Sequence, residues 1–328
     1  MKILMTGATG LLGLNTVPQL LEAGHEVVAV VRKPDAAREL LGEHPGLSFV
    51  QGDLDRIEDM VPHLAGCDAV VHAAALFTEY YATGAEWDRF YELNVLGTQT
   101  LFRAARTAGV GRGVFISSVG VMAAPDGRRI PPESMSDFYR RSKVEAEILL
   151  EGDEELRDWP LITLRPGWIW GPKDPAPTST GAMTRNLIEK GSEMLPTGDV
   201  VAMVDARDVG KAILSALTIP ARTATYPVVG AEIRSIDALR AVASHIPRAR
   251  AKTVPVGAAL FLSRVMDWKV KVFGGKNPIP MEGVKFIAGP LTANMTQSHR
   301  DLGVVYRPFE ETAKDVAEYW LARLGKQG

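Results

Sequence analysis

Short apolar runs alternate with segments of helical spacing through the first half of the chain. Most runs are rich in β-branched residues and are followed by a turn, which is typical of strands buried in a parallel sheet. The predicted strands are Lys2–Thr6, His25–Val31, Leu47–Val50, Ala69–His72, Gly113–Ile116 and Leu161–Leu164. Helical spacing runs to about Ala23, recurs near Ile57–Leu64, covers Glu86–Ala108 and extends from Tyr139 to about Leu150. This alternation predicts an α/β fold with a doubly wound parallel sheet.

The pattern changes after residue 172, where PKDPAPTST has the composition of a loop. We expect a helix over Thr180–Lys190, then a strand, a helix and a further strand that return to the first domain (Val201–Ala206, Asp208–Leu217 and Thr225–Val229). From Ser235 the pattern is mostly helical and ends in an amphipathic segment, Phe309–Leu324. The predicted organisation is a first domain of residues 1–172, to which 201–230 return, and a smaller, mostly helical region of residues 173–200 and 231–328.

The most apolar late stretch is Val254–Met266, VPVGAALFLSRVM. It is short for a membrane span and contains Arg264, so we expect no span here. We predict a helix that is packed in the core or covers the substrate.

Glycines punctuate the turn after the first strand. Gly7 allows a sharp turn, Gly10 lets backbone N–H groups approach a pyrophosphate, and Gly13 lets helix and strand pack closely. The turn therefore predicts a dinucleotide site, with Thr9, Leu11 and Leu12 as further contacts. On the glycines alone, an ordinary strand-to-helix loop stays open.

Basic residues follow the second strand, where an acidic residue would bind a ribose 2′-hydroxyl. Arg32 and Lys33 stand there, with Arg38 a little beyond. Two cations without a carboxylate favour a 2′-phosphate and hence NADP over NAD. The alternative is a solvated basic loop.

Further cofactor contacts are predicted where later strands end. Asp53 and Leu54 follow the third strand and could flank an adenine, and the small residues Ala73, Ala74 and Ala75 could let a cofactor pass over the fourth strand. Asn94 is disfavoured in a helix interior, which suggests a role in the site. We interpret His72, at the end of a buried strand, as structural and not catalytic.

One constellation carries acid–base chemistry. Tyr139 and Lys143 lie four residues apart and share a helix face. A tyrosine is a poor acid–base catalyst at neutral pH unless a cation stabilises its phenolate, and Lys143 can supply that charge. Ser118, at the end of the fifth predicted strand, can bind the substrate oxygen.

Composition limits the remaining possibilities. The apolar and charged fractions, 46% and 23%, are those of an ordinary globular protein, and a net charge of −2 provides no basic footprint for nucleic acid. The lone cysteine, Cys67, suits a reducing compartment, and the first strand begins at Lys2 without a secretory leader. We therefore expect a cytoplasmic protein, and we assign no metal ligands.

These motifs together resemble the extended short-chain dehydrogenase/reductase superfamily. The matching segments are Thr6–Gly13 (TGATGLLG), Gly52–Leu54 (GDL), Asn94–Thr98 (NVLGT), Ser117–Ser118, Tyr139–Lys143 (YRRSK), and Arg165–Pro166 with Gly171–Pro172. Arg32 makes the chain similar to the branch of dihydroflavonol-reductase-like and 3β-hydroxysteroid-dehydrogenase-like proteins. The resemblance implies a Rossmann domain that binds NADP, a smaller substrate-binding region, a triad of Ser118, Tyr139 and Lys143, and a cofactor contact at Pro166.

Two departures from the superfamily pattern affect this interpretation. Val121-Met122-Ala123 stands where nucleotide-sugar epimerases and dehydratases usually carry Val-Tyr-Gly, which counts against a sugar substrate. The segment Asp205–Val209 resembles a strand-to-helix element beside the site, although Ala206-Arg207 interrupts its usual form.

The favoured hypothesis is an NADPH-dependent reductase of an aldehyde or ketone, reversible toward the alcohol. An apolar substrate is suggested by a set of aromatic residues that could equally be core: Phe77, Tyr80, Tyr81, Trp168 and Trp170. A nucleotide-sugar epimerase or dehydratase with bound NAD and a non-catalytic NADP sensor are the alternatives. A homodimer through the helices near Glu86–Ala108 and Tyr139–Leu150 is possible, and so is a monomer.

Overall fold

A parallel sheet of seven strands forms the centre of the computed structural model, which describes residues 1–77, 86–274, 277 and 281–325. The strands of the whole structure are β1 (Lys2–Thr6), β2 (Glu26–Val31), β3 (Leu47–Gln51), β4 (Ala69–His72), β5 (Arg112–Ile116), β6 (Leu161–Pro166), β7 (Trp168–Trp170), β8 (Ser192–Pro196), β9 (Val200–Asp205), β10 (Ala224–Val228), β11 (Ala231–Arg234) and β12 (Arg250–Val254). The seven-stranded sheet has the order β10-β6-β5-β4-β1-β2-β3, and all its neighbouring pairs are parallel.

The α-helices of the described residues are α1 (Leu11–Glu22), α2 (Pro34–Leu41), α3 (Trp87–Phe90), α4 (Gly97–Thr107), α5 (Phe138–Glu151), α6 (Ser179–Lys190), α7 (Ala206–Thr218), α8 (Ser235–Ser244), α9 (Val256–Phe273), α10 (Met281–Ala288), α11 (Thr296–Leu302) and α12 (Phe309–Arg323). Helices α1 and α7 cover one face of the seven-stranded sheet, and α4 and α5 cover the other. Ile3 and Met5 of β1 pack into one core with α1 and α7, whereas Leu4 packs into another with α4 and α5. This alternation follows from the period of two along a strand, and it confirms the predicted doubly wound α/β fold.

In the strand order, β1 lies between β4 and β2, so the turn after β1 lies among the carboxyl ends of neighbouring strands. Thr6 lies opposite Val30 of β2 and His72 of β4, so three strand ends meet there. In open α/β sheets the crevice at such a reversal of strand order is where dinucleotides bind.

The structure refines two predictions about local structure. The helical segment near Ile57–Leu64 consists of two short 3₁₀ helices, Ile57–Asp59 and Val61–Leu64, and Pro62, which has no N–H, does not support one continuous α-helix. Strand β9, predicted to return to the first domain, pairs instead with β7 and β11 in a separate three-stranded sheet. The chain returns with α7, which packs on α1, and with β10, which pairs with β6.

Helix α9 contains most of the apolar late stretch. Among the described residues it packs against α10 but is not a core helix, and its covering of the substrate stays a prediction. Only Ala259 and Ser263 of α9 are buried, whereas the side chains of Phe261 and Trp268 are 70% and 63% exposed. Within the described ranges, no helix combines the length and the apolar character that crossing a bilayer requires.

Candidate functional site

The turn between β1 and α1 has the geometry that its glycines predict. Gly7 has a φ of +75°, and a Cβ there would lie 2.8 Å from the backbone nitrogen of Ala74. A Cβ on Gly13 would lie 2.3 Å from the carbonyl oxygen of Gly7, so only glycine permits this close packing of α1. Gly10 is exposed and caps α1, and a Cβ there would approach only the Gly7 oxygen, at 3.6 Å. The amino end of α1 is therefore open, and this cradle fits a pyrophosphate.

The other predicted contacts of the cofactor's nucleotide end lie along the same edge. These residues follow the carboxyl ends of four neighbouring strands, β1, β2, β3 and β4. They are Thr9, Leu11, Leu12, Arg32, Lys33, Asp53, Leu54, Ala73, Ala74 and Ala75. Of these, Leu11 is buried and the rest are partly or fully exposed. The structure thus brings the set to one edge, and their contact with a cofactor stays a prediction.

The cations after β2 differ in their pairing. Arg38 forms an ion pair with Asp35 at 3.0 Å, so part of its charge is compensated. Arg32 and Lys33 are exposed and form no ion pair within the described part of the chain. Their positive charge is therefore available to an anion at this edge.

His72 has the structural role that the sequence predicted. Its Nδ1 lies 2.8 Å from Thr6 Oγ1 and its Nε2 lies 3.1 Å from Thr98 Oγ1. Burial, assisted by the nearby Lys143, lowers the pKa of His72 to about 3. The ring is therefore neutral and ties β1, β4 and α4 together behind the site.

Lys143 is held against the end of β5. Its side chain is almost fully buried, and its Nζ donates to the carbonyl oxygen of Ile116 at 2.8 Å. An ammonium has three donors, and this bond uses one of them. Burial lowers the pKa of Lys143 to about 7, although the Glu147 carboxylate one turn further along α5 opposes that shift.

Tyr139 lies beside this lysine on the same face of α5. The Lys143 Nζ is 5.8 Å from the centre of the Tyr139 ring. Desolvation in the site raises the pKa of the Tyr139 phenol, and the Asp137 carboxylate adds to the shift. The phenol is therefore protonated at neutral pH, as an acid that donates a proton must be.

Ser118 follows β5 two residues after Ile116, the residue that binds Lys143. Its Oγ accepts a hydrogen bond from the Gly120 N–H at 3.0 Å, and its side chain is partly exposed. Ser117, the other serine of the pair, is buried. The structure thus places Ser118 and Lys143 at the end of one strand, with Tyr139 one helical turn away.

Asn94 lies in a π-helical segment, Tyr91–Leu96, between α3 and α4. Its Oδ1 accepts from the N–H of Leu76, and its Nδ2 donates to the Leu76 oxygen and to Ser142 Oγ at 3.0 Å each. Ser142 Oγ in turn donates to the Tyr139 carbonyl oxygen at 2.7 Å. Asn94 therefore positions the chain after β4 and the start of α5, and its direct contact with a cofactor stays a prediction.

A buried ion pair joins α5 to β6, and no sequence pattern predicts it. Arg165 of β6 donates to both carboxylate oxygens of Glu147, and both side chains are buried. Pro166, a predicted cofactor contact, is the last residue of β6 and is also buried. Arg165 and Glu147 lie far apart in sequence, and no local pattern links them.

The aromatic residues predicted to meet the substrate fall into different environments. Phe77 is 37% exposed and packs edge-on against Tyr139 at 4.7 Å. Trp168 is partly exposed, whereas Trp170 is fully buried against Phe309, so its predicted substrate contact would require the core to open. Tyr80 and Tyr81 lie outside the described residues.

Two further residues, Phe286 and Arg140, lie beside these aromatic side chains and were not predicted from the sequence. Phe286 of α10 packs edge-on against Trp168 at 6.3 Å, and the Arg140 guanidinium lies over the Phe286 ring. Arg140 Nε also donates to the Gly120 oxygen at 2.8 Å, next to the bond made by Ser118. The helical pattern of α10 predicts an apolar face, and it does not show which element that face meets.

The segment after β9 has a structural role. Asp205 caps α7 and binds Arg207, Arg307 and Thr312. This cluster joins α7 to α12. Arg207, one of the two residues at which Asp205–Val209 departs from the superfamily pattern, therefore has a structural role.

A family model described as the NAD dependent epimerase/dehydratase family matches residues 3–229 of the chain. A putative dihydroflavonol 4-reductase from Synechocystis sp. is 30% identical over 339 residues, which cover 98% of this chain and 94% of that protein. A 4-hydroxy-2-methyl-3-oxo-4-farnesyl-3,4-dihydroquinoline-1-oxide ketoreductase from Stigmatella aurantiaca is 29% identical over 96% of this chain and 95% of its own length. These relatives confirm the resemblance to the extended short-chain dehydrogenase/reductase superfamily.

Solved structures share the fold. The enzyme WbmH from Bordetella bronchiseptica, in complex with NAD+, superposes with a TM-score of 0.74 at 22% identity, over 97% of this chain and 98% of that one. A UDP-glucose 4-epimerase from Thermotoga maritima gives a TM-score of 0.74 at 19% identity, over 99% of this chain and 100% of the other. At these identities the similarity shows a common architecture and leaves the substrate open.

Proposed function

This chain belongs to the NAD dependent epimerase/dehydratase family and is an NAD(P)-dependent oxidoreductase, and we propose that it reduces an aldehyde or ketone with NADPH. The reaction is reversible toward the alcohol. When bound, the reduced nicotinamide supplies the hydride for the carbonyl carbon.

The observation that carries the proposal is the arrangement of Lys143, Tyr139 and Ser118. Lys143 is fixed by its bond to Ile116, so its charge stays beside the Tyr139 ring. Tyr139 gives its proton to the carbonyl oxygen, and the Lys143 ammonium stabilises the phenolate that remains. Ser118 Oγ accepts a hydrogen bond from the Gly120 N–H, and its hydroxyl donates a hydrogen bond to the substrate oxygen without giving up its proton.

The preference for NADP rests on the unpaired cations after β2. A 2′-phosphate at the carboxyl edge of β2 meets Arg32 and Lys33 without displacing an existing ion pair. Arg38 is already bound to Asp35 and contributes less. Asp53 and Leu54, after the neighbouring strand β3, flank the adenine in this arrangement.

Three aromatic residues that keep some exposure, Phe77, Trp168 and Phe286, form what we call the aromatic wall, and they favour an apolar carbonyl compound. Phe77 packs edge-on against Tyr139, and Trp168 packs edge-on against Phe286, the ring beneath the Arg140 guanidinium. Apolar surface of this kind stabilises a ligand by removing it from water, without requiring a charged partner.

The test begins with calorimetric titration of the purified protein with NADP and with NAD. We expect NADP to bind more tightly, and we expect Arg32→Ala to bring its affinity close to that of NAD. Arg38→Ala is the matched control, because its cation is already paired, and it should retain the preference. Tighter NAD binding that Arg32→Ala leaves unchanged would contradict the NADP assignment.

The second step measures NADPH consumption with a panel of apolar and polar carbonyl compounds. Stoichiometric oxidation with apolar aldehydes or ketones supports the reductase. Turnover of a nucleotide-sugar without net change of NAD would support the epimerase alternative, and cofactor binding without any turnover would support the sensor.

A homodimer through the helices near 86–108 and 139–150 remains part of the proposal. Leu96 and Ile148 are exposed on these helices and could pack across such an interface. A monomer by light scattering at micromolar concentration would contradict it.

A further inference from the structure

Helix α9 presents an apolar stripe to solvent, on the side opposite its packed face. At about 100° per residue, four of its side chains fall within an arc of roughly 60°. They are Phe261, Val265, Trp268 and Val272, and all four are exposed. Phe273, 74% exposed, widens the apolar surface at the end of the helix.

Cations flank this stripe on both sides. Arg264 and Lys271 lie along one border and Lys269 along the other, and all three are exposed. The single carboxylate of α9, Asp267, is exposed on the flank of the helix between the border of Arg264 and Lys271 and the packed face, and it accepts a hydrogen bond from Asn277 Nδ2 at 2.7 Å. The outward face of α9 is therefore apolar at its centre and positive at its borders.

We propose that α9 is a docking surface for an anionic membrane, on which the helix lies parallel to the lipid plane. Apolar and aromatic side chains enter the boundary between headgroups and acyl chains, while flanking Lys and Arg bind anionic headgroups. At 18 residues α9 is about 27 Å long, enough to present the whole stripe to one surface. A helix that lies on a bilayer need not be able to span it.

The charge arrangement favours a lipid surface over a second copy of the chain. A second α9 laid against the stripe would bring Arg264, Lys269 and Lys271 toward the same cations of the partner, and like charges repel. An anionic surface complements all three.

The position of α9 connects this surface to the site. Helix α10 packs against α9, and it carries the Phe286 that contacts Trp168. If the substrate is apolar, which rests on the proposed function, docking places the aromatic wall near the phase into which that substrate partitions. The vesicle experiment below does not depend on turnover, so the two proposals fail separately.

The experiment is co-sedimentation of the full chain with two kinds of vesicle, pure phosphatidylcholine and an equal mixture of phosphatidylcholine and phosphatidylglycerol. We expect binding to the anionic vesicles, weakened by salt. Phe261→Asp combined with Trp268→Asp should reduce the bound fraction at least about tenfold. Val305→Asp, at an 80% exposed apolar residue between α11 and α12, is the matched control and should bind like the wild type.

A charge variant separates the two contributions. Arg264→Glu with Lys269→Glu and Lys271→Glu keeps the stripe, and it should lose the preference for anionic vesicles, by about fivefold per cation. Circular dichroism and thermal melting check that each variant is folded.

Three outcomes would overturn the proposal. The first is equal, weak recovery of the wild type with both vesicle types, and the second is vesicle binding that the Asp variants leave unchanged. The third is a concentration-dependent dimer in sedimentation velocity that the Asp variants abolish and vesicles do not affect, which would assign the stripe to a second copy.

Discussion

Helices α5 and α9 both depart from the usual rule that charged side chains are exposed and apolar ones are buried, but each breaks a different half of it. Helix α5 buries ionisable groups, Lys143 and Glu147, whereas α9 exposes large apolar ones, Phe261 and Trp268. Burying a charge and exposing an aromatic ring both cost free energy unless another group compensates. In α5 the compensation is visible in the Ile116 carbonyl and the Arg165 guanidinium. In α9 no compensating group is found among the described residues, and our proposal places it in a membrane surface. The comparison teaches that each kind of misplacement is worth testing for a function, which our proposals give as catalysis in one helix and association in the other.

The largest effect should come from removing the Tyr139 hydroxyl. Tyr139→Phe keeps the ring that packs on Phe77 and removes the proton donor, so we expect a loss of about 10²–10⁴-fold in kcat with little change in Tm. Steady-state kinetics with NADPH and a reactive carbonyl compound measure it. Tyr91→Phe, beside Trp87, is the control. Activity within threefold of wild type in Tyr139→Phe would exclude this residue as the acid.

Breaking the ion pair between Arg165 of β6 and Glu147 of α5 should have the next largest effect. Arg165→Met leaves the buried Glu147 carboxylate with only its longer contact to Arg129, at 3.4 Å, which should lower the free energy of unfolding by about 3 kcal/mol. Urea denaturation measures the change. Arg157→Met, which removes an exposed pair with Glu154, should stay within about 0.5 kcal/mol of wild type. Equal effects of the two substitutions would mean that burial does not distinguish the pairs.

The charge of Lys143 should appear in the pH dependence of stability. Its pKa is lowered to about 7 in the folded protein from 10.5, so between these values the unfolded chain binds more protons than the folded one. The free energy of unfolding therefore rises with pH in this window, by at most about 1.4 kcal/mol per pH unit from this group. Lys143→Met should show a smaller rise between pH 7 and 9 in urea titrations. Parallel slopes for the two proteins would contradict the lowered pKa.

The smallest effect should come from the stripe on α9. Trp268→Ser should change the free energy of unfolding by no more than about 0.5 kcal/mol, because the side chain packs against little of the protein. Ala259→Asp, on the buried face of the same helix, should cost more than about 1 kcal/mol. Chemical denaturation compares the two. A large loss in Trp268→Ser would show that the stripe is packed and that the contrast with α5 does not hold.

Local patterns predicted much of the first domain. The glycines of the first turn and the four-residue spacing of Tyr139 and Lys143 act over one or two helical turns, so the sequence alone places them. The pairing of β9 with β7, the bond from Arg165 to Glu147 and the burial of Trp170 depend on segments far apart in the chain. The exposure of α9 could not be predicted for a related reason: its apolar composition is that of a packed helix, and only the arrangement of its neighbours shows which face stays uncovered.

The strand that completes the seven-stranded sheet, β10, is synthesised well after its neighbour β6. Strand β10, which covers one side of β6, begins at Ala224, although β6 ends at Pro166. During synthesis from the amino terminus, β6 must therefore wait with an open edge while the intervening residues, including the whole of α6 and α7, leave the ribosome. Chain termination anywhere in that interval yields a protein in which β6 is an unprotected edge strand. Truncated products of this chain should accordingly associate through β6, while the finished chain does not offer that edge.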